Sequence, residues 1–466
     1  MAVAGGIMVP HPPLIVPEIG QGEERRVQET TDAYREAART LAAWRPDTVV
    51  ILSPHTVVYA DYFHISPGDG AKGDFGRFRA PQVKFQVEYD SDFVEELERE
   101  ADQAGLPAGT MGERDRRLDH GTMVPLYFLE KYLEGGLGGC RFVRIGLSGL
   151  PLSRHYGLGQ CIQRTAGRLN RRIAVVGSGD LSHKLKAEGP YGFAPEGPGY
   201  DERIMDVMGR AAFGELFDFP EDFCRKAAEC GHRSFVIMAG ALDGLALETR
   251  RLSHEGPFGV GYGVCLYRVT GEDKSRHFLE QYEERAKKEA EKRKKGEDPW
   301  VKLARQAVET YVRTGHRMEL PEDLPDELYR TRAGAFVSLK KEGRLRGCIG
   351  TIAPAASCLA REIMDNAVSA AARDPRFSPV REEELERLVY SVDVLGETEP
   401  IASPEELDVK RYGVVVSRGR KRGLLLPDLE GVDTPEEQVA IAKRKAGIPE
   451  DEEDVRLERF EVVRHR

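Results

Sequence analysis

The sequence predicts two domains, a layered α/β domain with a central mixed sheet and, after it, a smaller α+β domain. The first observation is length, because 466 residues exceed what one ordinary hydrophobic core supports. The second is an alternation of short β-rich runs with helical patterns in the first half, which is typical of a layered sheet. The third is a densely charged segment that separates two halves with different motifs.

Strands and helices alternate along the first half of the chain. β-rich runs occupy residues 48–52, 140–145 and 172–176, and helical patterns occupy residues 23–43 and 92–104. Ligands of open α/β sheets bind at the carboxyl ends of the strands. Polar residues that directly follow a strand are therefore the first candidates for a functional site.

The charged segment covers residues 271–298 and is predicted to be a helical linker. It is dense in Glu, Lys and Arg, and its few large apolar residues include Phe278, Leu279 and Tyr282. Such a segment cannot pack on all sides. We expect one domain at residues 1–270 and another at 299–466. The alternative is a solvated surface helix inside a single domain.

The charge balance argues against some classes of partner. A formal net charge of -10 and a pI near 5.7 do not suit a nucleic acid or an anionic membrane, which are bound mainly by clustered Lys and Arg. No apolar run approaches the roughly 20 residues that span a bilayer, and the first residues lack the charged start of a signal peptide. We expect a cytoplasmic protein that binds small molecules or other proteins.

The cysteines indicate reduced thiols. The seven cysteines are scattered and odd in number, and none of them forms a CxxC pair. This pattern fits neither a disulfide framework nor a zinc ribbon. A bound metal would therefore be held chiefly by His and carboxylate side chains.

Four histidines stand where a site is expected. His11 lies among three prolines, which restrict the backbone around it, and His55 directly follows a strand-like run. His120 lies in the segment LDHGT, and His183 follows a strand through the turn GSGDLSH. Each alone is more often a structural histidine, but their shared placement indicates one site.

Two imidazoles and one carboxylate with open positions form the ligand set that suits non-haem iron(II) and oxygen chemistry. The segment AECGHRS at residues 228–234 supplies Glu229 as a third ligand and Cys230 as a thiolate alternative. The structural alternative makes Glu229 an exposed carboxylate at a helix end and Cys230 a small buried hydrophobic residue.

These segments together carry a family resemblance. The order HPP, SPH, LDHGTMVPL, GSGDLSH, ECGHRSF and AGAL resembles the class III extradiol dioxygenases (LigB-like) and the related Memo proteins, over roughly residues 4–268. The resemblance implies an iron(II) ion held by His11, His55 and Glu229. It also implies that His183 acts as a base and that His120 lines the substrate pocket.

The implied reaction is extradiol ring cleavage of a catechol-type substrate by dioxygen. Asp180 would orient or charge-balance the imidazole of His183. The Memo proteins carry a cysteine where Cys230 stands, however, and coordination by Cys230 would favour zinc or copper or a redox-sensing role. Glu229 and Cys230 therefore imply different functions.

The second half has the pattern of an α+β domain. Helical spacing covers residues 300–314 and 359–372, and strand character appears at 334–339, 388–395 and 413–416. The segments LRGCIG, RDPRF, GLLLP and GVDTPEEQ resemble the AMMECR domain over residues 299–466. The activity of that family is not established, so the resemblance assigns none.

Three features of the second half have competing interpretations. Cys348 is either a nucleophile or redox residue with Arg346 near enough to favour a thiolate, or a plain buried thiol. Asp433 or Thr434 is expected to cap a helix. A basic run is expected to be a solvated hairpin tip, with anion or RNA binding as the alternative. This run comprises Arg418, Arg420, Lys421 and Arg422.

The fusion suggests a shared pathway. Proteins that resemble the two halves, together with a radical SAM enzyme, look like parts of one functional system, which implies a radical SAM partner. Besides the dioxygenase, two hypotheses remain: a Memo-like metal or redox protein, and a scaffold that has kept the fold without the reaction.

Overall fold

The computed structural model describes residues 2–113, 115–341, 343–429 and 431–466, with the backbone alone described at Arg344. The chain forms two compact units, the first ending at Glu283 and the second beginning at Glu284. Within the described residues, no helix is both long and apolar enough to cross a membrane.

The first unit contains the elements of a layered α/β domain. Its strands are β1 (Val3–Val9), β2 (Thr48–Ser53), β3 (Phe63–His64), β4 (Gly70–Phe75), β5 (Ala80–Glu88), β6 (Ala108–Gly109), β7 (Arg141–Gly146), β8 (Ile173–Ser178), β9 (Leu245–Glu255) and β10 (Tyr262–Glu272). Its helices are α1 (Pro17–Gly20), α2 (Gln28–Ala43), α3 (Ser91–Gln103), α4 (His120–Leu129), α5 (Leu152–Arg168), α6 (Glu196–Gly209), α7 (Glu221–Ala227) and α8 (His232–Ala241).

The central sheet is mixed, with the strand order β7-β2-β8-β1-β10-β9. Strands β7, β2, β8 and β1 are parallel, whereas β10 and β9 are antiparallel to their neighbours. Every residue of β1, β2 and β8 is buried, as in a sheet covered on both faces. Alternate side chains of these strands enter two separate cores. The predicted layered α/β class with a central mixed sheet is confirmed.

Strand β1 was not among the predicted strands, although it lies inside the sheet between β8 and β10. Its sequence contains two glycines, and glycine weakens strand propensity. The close packing of the fold explains Gly5, because a Cβ there would lie 2.5 Å from the Trp44 ring and 2.2 Å from the Tyr267 carbonyl oxygen. Tertiary contact therefore selects glycine at this position of the strand.

The charged segment begins as part of the first unit. Strand β10 continues to Glu272, and helix α9 (Phe278–Gly296) follows a short turn. The buried carboxylate of Asp243 accepts hydrogen bonds from the Tyr156 hydroxyl at 2.6 Å, the Phe278 backbone N–H at 3.0 Å and His277 Nδ1 at 2.9 Å. These bonds tie the start of α9 to the core of the first unit.

The second unit has α+β architecture, as predicted. Its strands are β11 (Ala335–Lys341), β12 (Arg344–Gly350), β13 (Leu388–Leu395), β14 (Glu399–Ile401), β15 (Tyr412–Arg418), β16 (Lys421–Leu425) and β17 (Arg456–His465). Its helices are α10 (Pro299–Thr314), α11 (Asp326–Arg330), α12 (Leu359–Ala372) and α13 (Pro435–Ala446). The sheet is antiparallel in the order β12-β11-β13-β17-β15-β16, with β14 also paired to β17.

Local sequence signals set the helix ends of the second unit. Thr434 caps α13 in a reciprocal arrangement with Glu437, which satisfies free N–H groups of the first turn. The predicted cap at Asp433 or Thr434 is thereby confirmed at Thr434. Trp300 near the start of α10 stacks on His465 of the last strand, with ring centroids 4.5 Å apart.

The contact between His277 and Asp243 predicts a pH-dependent contribution to stability. The hydrogen bond to the carboxylate raises the pKa of His277 above its ordinary value of 6.5. The contribution is therefore complete below about pH 6.5 and is lost as pH rises through the folded-state pKa. We expect His277→Gln to lower the free energy of unfolding of the first unit more at pH 5.5 than at pH 9, measured in urea through Trp44 fluorescence in a Trp300→Phe background.

The matched control is His316→Gln, which changes an exposed histidine of the second unit. It should leave unfolding of the first unit unchanged at both values of pH. An equal effect of His277→Gln at both values would contradict the account.

Candidate metal centre

Three histidines converge beyond the carboxyl ends of β1 and β2. The Nε2 atoms of His11 and His55 are 3.0 Å apart, and candidate ligand atoms of His11, His55 and His120 all lie within 4.8 Å of one another. Two nitrogens that share one ion at bonds of about 2.1 Å lie within roughly 4.2 Å of each other. The separation of His11 and His55 meets this requirement.

Ser178, the last residue of β8, determines which nitrogen of His11 is free. The Ser178 hydroxyl donates to the Gly121 carbonyl at 2.6 Å and lies 2.9 Å from His11 Nδ1. Because its one hydrogen is given to Gly121, the hydroxyl accepts from the Nδ1–H of His11. The lone pair of His11 is therefore on Nε2, which faces His55. An orienting partner of this kind is typical of histidines that bind metals.

Asp119 connects the segments that carry the other two histidines. Its carboxylate accepts from the backbone N–H of Thr122 at 3.0 Å and caps helix α4, whose first residue is His120. It also accepts from the Ser53 hydroxyl at 2.6 Å, and that hydroxyl accepts from the backbone N–H of His55 at 3.2 Å. Sequence reasoning missed Asp119 and Ser178, although the cap position of Asp119 was a readable signal.

The buried guanidinium group of Arg144 lies next to the Asp119 carboxylate. Arg144 Nη1 lies 3.5 Å from an Asp119 carboxylate oxygen, and Arg144 also forms an ion pair with Glu113. Its Nε donates to the Ser66 hydroxyl at 2.7 Å. Losing one partner of a buried ion pair costs far more than an exposed pair contributes. The positions of His55 and His120 thus depend on a network below the site.

The histidines of this group are held in the neutral form. Burial is the main cause that lowers the pKa of His11 well below its usual value, and it also lowers the pKa of His55, with partial opposition from Asp119. Burial together with His55 lowers the pKa of His120 to about 4. Neutral imidazole is the form that binds metals. The site therefore presents unprotonated nitrogens at neutral pH.

Cys230 lies beside His11, with its Sγ 3.6 Å from His11 Nε2. The same sulfur accepts from the backbone N–H of Asp180 at 3.3 Å. Burial raises the pKa of the Cys230 thiol well above its usual range. Without a metal the residue is a protonated thiol, and binding to an ion would release its proton.

Two glycines bring Cys230 this close to β8. A Cβ at Gly179 would lie 2.1 Å from Gly231 Cα, and a Cβ at Gly231 would lie 2.4 Å from the Phe235 ring. The two backbones touch where any side chain would separate them. Close approach therefore explains glycine at both positions.

Glu229 is the predicted third metal ligand, and one oxygen of its carboxylate accepts from the backbone N–H of His232 at 2.6 Å. That N–H is among the free donors at the start of helix α8, which attract a negative charge. Burial raises the pKa of Glu229 to about 7. Among the described residues, the group of ligand atoms within 4.8 Å contains His120 and not Glu229.

The ring of His183 is fixed by one hydrogen bond to the backbone. Its Nδ1 donates to the Ala228 carbonyl at 2.5 Å, which leaves the Nε2 lone pair available. Burial lowers its pKa, so the ring is neutral at pH 7. Ala228 ends helix α7 with a left-handed backbone of φ 54°, a conformation that is common at the carboxyl ends of helices.

Asp180 was expected to orient His183, but its carboxylate accepts from the backbone N–H of His11 at 2.8 Å. Its carbonyl oxygen accepts from the backbone N–H of Gly231 at 3.1 Å. Burial raises the pKa of Asp180 to about 7. The residue joins the His11 loop to the Cys230 loop.

The candidate residues of the second unit have structural partners. Arg346 forms a bidentate ion pair with Glu384 at 3.0 and 2.9 Å. Its positive charge is therefore compensated by Glu384. The Cys348 Sγ lies 3.2 Å from the Ser338 hydroxyl, and the Cys348 backbone N–H donates to Asp374 at 2.9 Å.

Charged side chains of the basic hairpin tip also form contacts within the second unit. Arg418 pairs with Glu452, and Lys421 donates to the Gly447 carbonyl at 2.5 Å. These contacts support the interpretation of the run as a solvated tip.

The first unit is an α/β domain in which a group of histidines that could hold a metal ion lies at the carboxyl edge of the parallel strands. Residues 5–265 match the family model described as the catalytic LigB subunit of aromatic ring-opening dioxygenase. The chain belongs to this LigB family. Residues 301–465 match the AMMECR1 family model, so the resemblance to LigB-like dioxygenases and to the AMMECR domain is confirmed.

Two relatives match the chain over different lengths. A protein of Clostridium acetobutylicum is 39% identical over 475 residues and is matched over 100% of both chains. A protein of Thermotoga maritima is 55% identical over 172 residues, covering 37% of this chain and 99% of its own.

Two solved structures of uncharacterized proteins are similar to parts of the chain. One from Pyrococcus horikoshii has 37% identity and a TM-score of 0.34, covering 35% of this chain and 88% of its own. One from Escherichia coli K12 has 14% identity and a TM-score of 0.38, covering 57% and 99%.

Replacing Ser178 with alanine should weaken metal binding. The substitution removes the acceptor of His11 Nδ1–H, so the ring loses its fixed tautomer and orientation. We expect Ser178→Ala to lower affinity for a divalent metal by about 10- to 100-fold, measured by competition with a chelator. The control is Ser153→Ala, because the buried Ser153 hydroxyl has no hydrogen-bond partner among the described residues. Equal affinities for wild type and Ser178→Ala would contradict the assignment.

Replacing Gly231 with alanine should destabilise the first unit. The added Cβ meets the Phe235 ring at 2.4 Å and Gly179 Cα at 2.9 Å, and overpacking of this kind costs about 1–3 kcal/mol. Gly167→Ala in helix α5 is the control, because its Cβ would meet nothing within 4 Å and helix propensity favours alanine by about 1 kcal/mol. Urea unfolding should move in opposite directions for the two variants, and a neutral Gly231→Ala would show that the backbones are not in close contact.

Proposed function

We propose that the first unit is a non-haem iron(II)-dependent dioxygenase that opens the ring of a catechol-type substrate. The observation that carries this proposal is the group of three neutral imidazoles, His11, His55 and His120, in a chain of the LigB family. Imidazole nitrogen suits iron(II) as well as zinc and copper. In this proposal the three histidines hold the ion and leave its remaining positions open.

The surroundings of the group fit a divalent ion. His11 presents Nε2 because Ser178 holds its other nitrogen, and His55 presents Nε2 toward the same point. The pKa values of all three histidines are lowered, so these neutral rings bind an ion without a net loss of protons. Iron(II), when bound, supplies the electron-transfer chemistry that lets dioxygen react with an aromatic ring.

His183 is proposed to move the substrate proton. Its neutral Nε2 accepts a proton from a catechol hydroxyl, while Nδ1–H stays on the Ala228 carbonyl. The imidazolium later returns that proton to the product. One catechol and one dioxygen give one ring-opened product: the carbon–carbon bond beside a hydroxylated carbon breaks, and both oxygen atoms are retained. No further reductant is needed.

A second candidate function is a metal site with a thiolate ligand, similar to the Memo-like hypothesis. It is favoured by the 3.6 Å separation of Cys230 Sγ from His11 Nε2 and by the engagement of Glu229 with helix α8. A site of imidazoles and one thiolate suits zinc or copper. Such a site would serve metal binding or redox sensing in place of ring cleavage.

Metal content separates these candidates. The full chain would be purified anaerobically, reconstituted with iron(II) and assayed for bound iron, beside His55→Ala, His120→Ala, Glu229→Gln and Cys230→Ser. We expect one iron per chain in wild type, Glu229→Gln and Cys230→Ser, and loss of iron in the two histidine variants. Loss in Glu229→Gln would instead indicate two histidines and a carboxylate, and loss in Cys230→Ser would indicate the thiolate site.

Oxygen uptake then tests the reaction itself. His183→Ala should retain iron and lower turnover of a catechol by about 10²- to 10⁴-fold, the usual contribution of a general base. His316→Ala in the second unit is the control and should keep full turnover. An iron-loaded wild type that consumes no oxygen with any catechol would refute the dioxygenase proposal.

A further inference from the structure

The exposed large hydrophobic residues in the described part of the first unit stand near the site histidines in the sequence. Among the described residues they are Val58, Met111, Tyr191 and Phe193, with exposed fractions of 53%, 76%, 60% and 56%. Val58 follows His55 by three residues, Met111 precedes His120 on the loop before helix α4, and Tyr191 and Phe193 follow His183. These four residues are called the apolar rim.

The backbones that carry the apolar rim are anchored. The backbone N–H of Met111 donates to the Tyr62 hydroxyl at 3.3 Å, and its carbonyl lies 3.1 Å from His64 Nδ1. Beside Val58, the Tyr59 carbonyl accepts from the Gly149 N–H at 2.8 Å. The exposure of Val58 and Met111 is therefore a property of the anchored fold.

The loop after His183 is held in the same way. Phe193 forms a bridge with Leu185, and the backbone N–H of Ala194 donates to the Lys184 carbonyl at 3.1 Å. Exposed apolar groups on an anchored backbone cost free energy in water. Exposed apolar groups next to a site are typical of a binding surface.

A ring contact joins Tyr191 of the rim to the histidine site. The Tyr191 ring lies edge-on to the His183 ring with centroids 5.1 Å apart. On the side of His120, the partly exposed Phe78 ring lies 5.5 Å from the imidazole. A molecule bound against His183 therefore borders the exposed Tyr191 ring, and one bound against His120 borders the partly exposed Phe78 ring.

We infer that the substrate carries an apolar extension, such as a second aromatic ring, which lies on the apolar rim while its hydroxylated ring occupies the histidine site. This inference rests on the dioxygenase proposal. A lone catechol is too small to cover the rim as well as the site. The two aromatic side chains, Tyr191 and Phe193, suit a flat apolar group, since aromatic rings pack edge-to-face or with an offset.

The test compares the binding of compounds that differ only in the extension. Dissociation constants of catechol, 3-phenylcatechol and 4-phenylcatechol would be measured by calorimetry on the full chain with iron(II), without oxygen. The variants are Tyr191→Ser/Phe193→Ser and, as a matched control, Val463→Ser, which removes a 61% exposed hydrophobic side chain of the second unit. Circular dichroism and bound iron verify that each variant is folded and loaded.

In wild type and Val463→Ser, we expect at least one phenylcatechol to bind about tenfold or more tightly than catechol, since burial of a ring removes apolar surface from water. In the double variant, the ratio of the dissociation constant of catechol to that of the phenylcatechol should fall close to one. A ratio near one in wild type, including the case in which no compound binds, would overturn the inference. So would an unchanged ratio in the double variant, or a change of oligomeric state there, which would assign the rim to a second copy of the chain.

The outcome is separable from the reaction, because binding is measured without oxygen. If the protein binds phenylcatechols more tightly through the apolar rim but consumes no oxygen, the dioxygenase proposal is refuted. The inference of a ligand with an apolar extension would still stand. If the protein cleaves catechol and phenylcatechol but binds them with equal affinity, the inferred role of the apolar rim is refuted. The dioxygenase proposal would still stand.

Discussion

The hydroxyl group of Ser178 joins three segments that are far apart in sequence. It accepts from His11 after β1, belongs to the end of β8 and donates to the Gly121 carbonyl at the start of α4. The direction of the His11 lone pair depends on this one hydroxyl. The proximity of His55 depends on Asp119 beside Gly121, so the imidazole group forms only when the parallel strands end at a common edge.

The identity of the third metal ligand depends on how the residues before helix α8 are placed. The free N–H groups of that helix attract the carboxylate of Glu229, and the contact of Gly179 with Gly231 brings Cys230 toward His11. In this short segment, the Glu229 carboxylate therefore binds the start of helix α8, and the Cys230 thiol faces His11. Glu229 stays the third ligand that the sequence predicts, and His120 is the third member of the group of ligand atoms that the structure brings together.

Local patterns predicted much of the fold because they are properties of short segments. The cap at Thr434 and the buried strands β2 and β8 follow from capping chemistry and apolar runs. Strand β1 was missed because Gly5 is selected by contact with Trp44 across the fold. In the site, the histidines stand after strands as the pattern indicates. The partners of Glu229 and the several roles of Asp119 depend on tertiary contacts that spacing alone does not encode.

Anomalous X-ray diffraction from crystals of the iron-reconstituted full chain tests the central claim most directly, because it locates the ion and its ligand atoms. The account predicts one ion bound by His11 Nε2 and His55 Nε2, with His120 as a further ligand and the Glu229 carboxylate still on the His232 N–H. An ion bound away from His11 and His55, or one coordinated by Glu229, would contradict it.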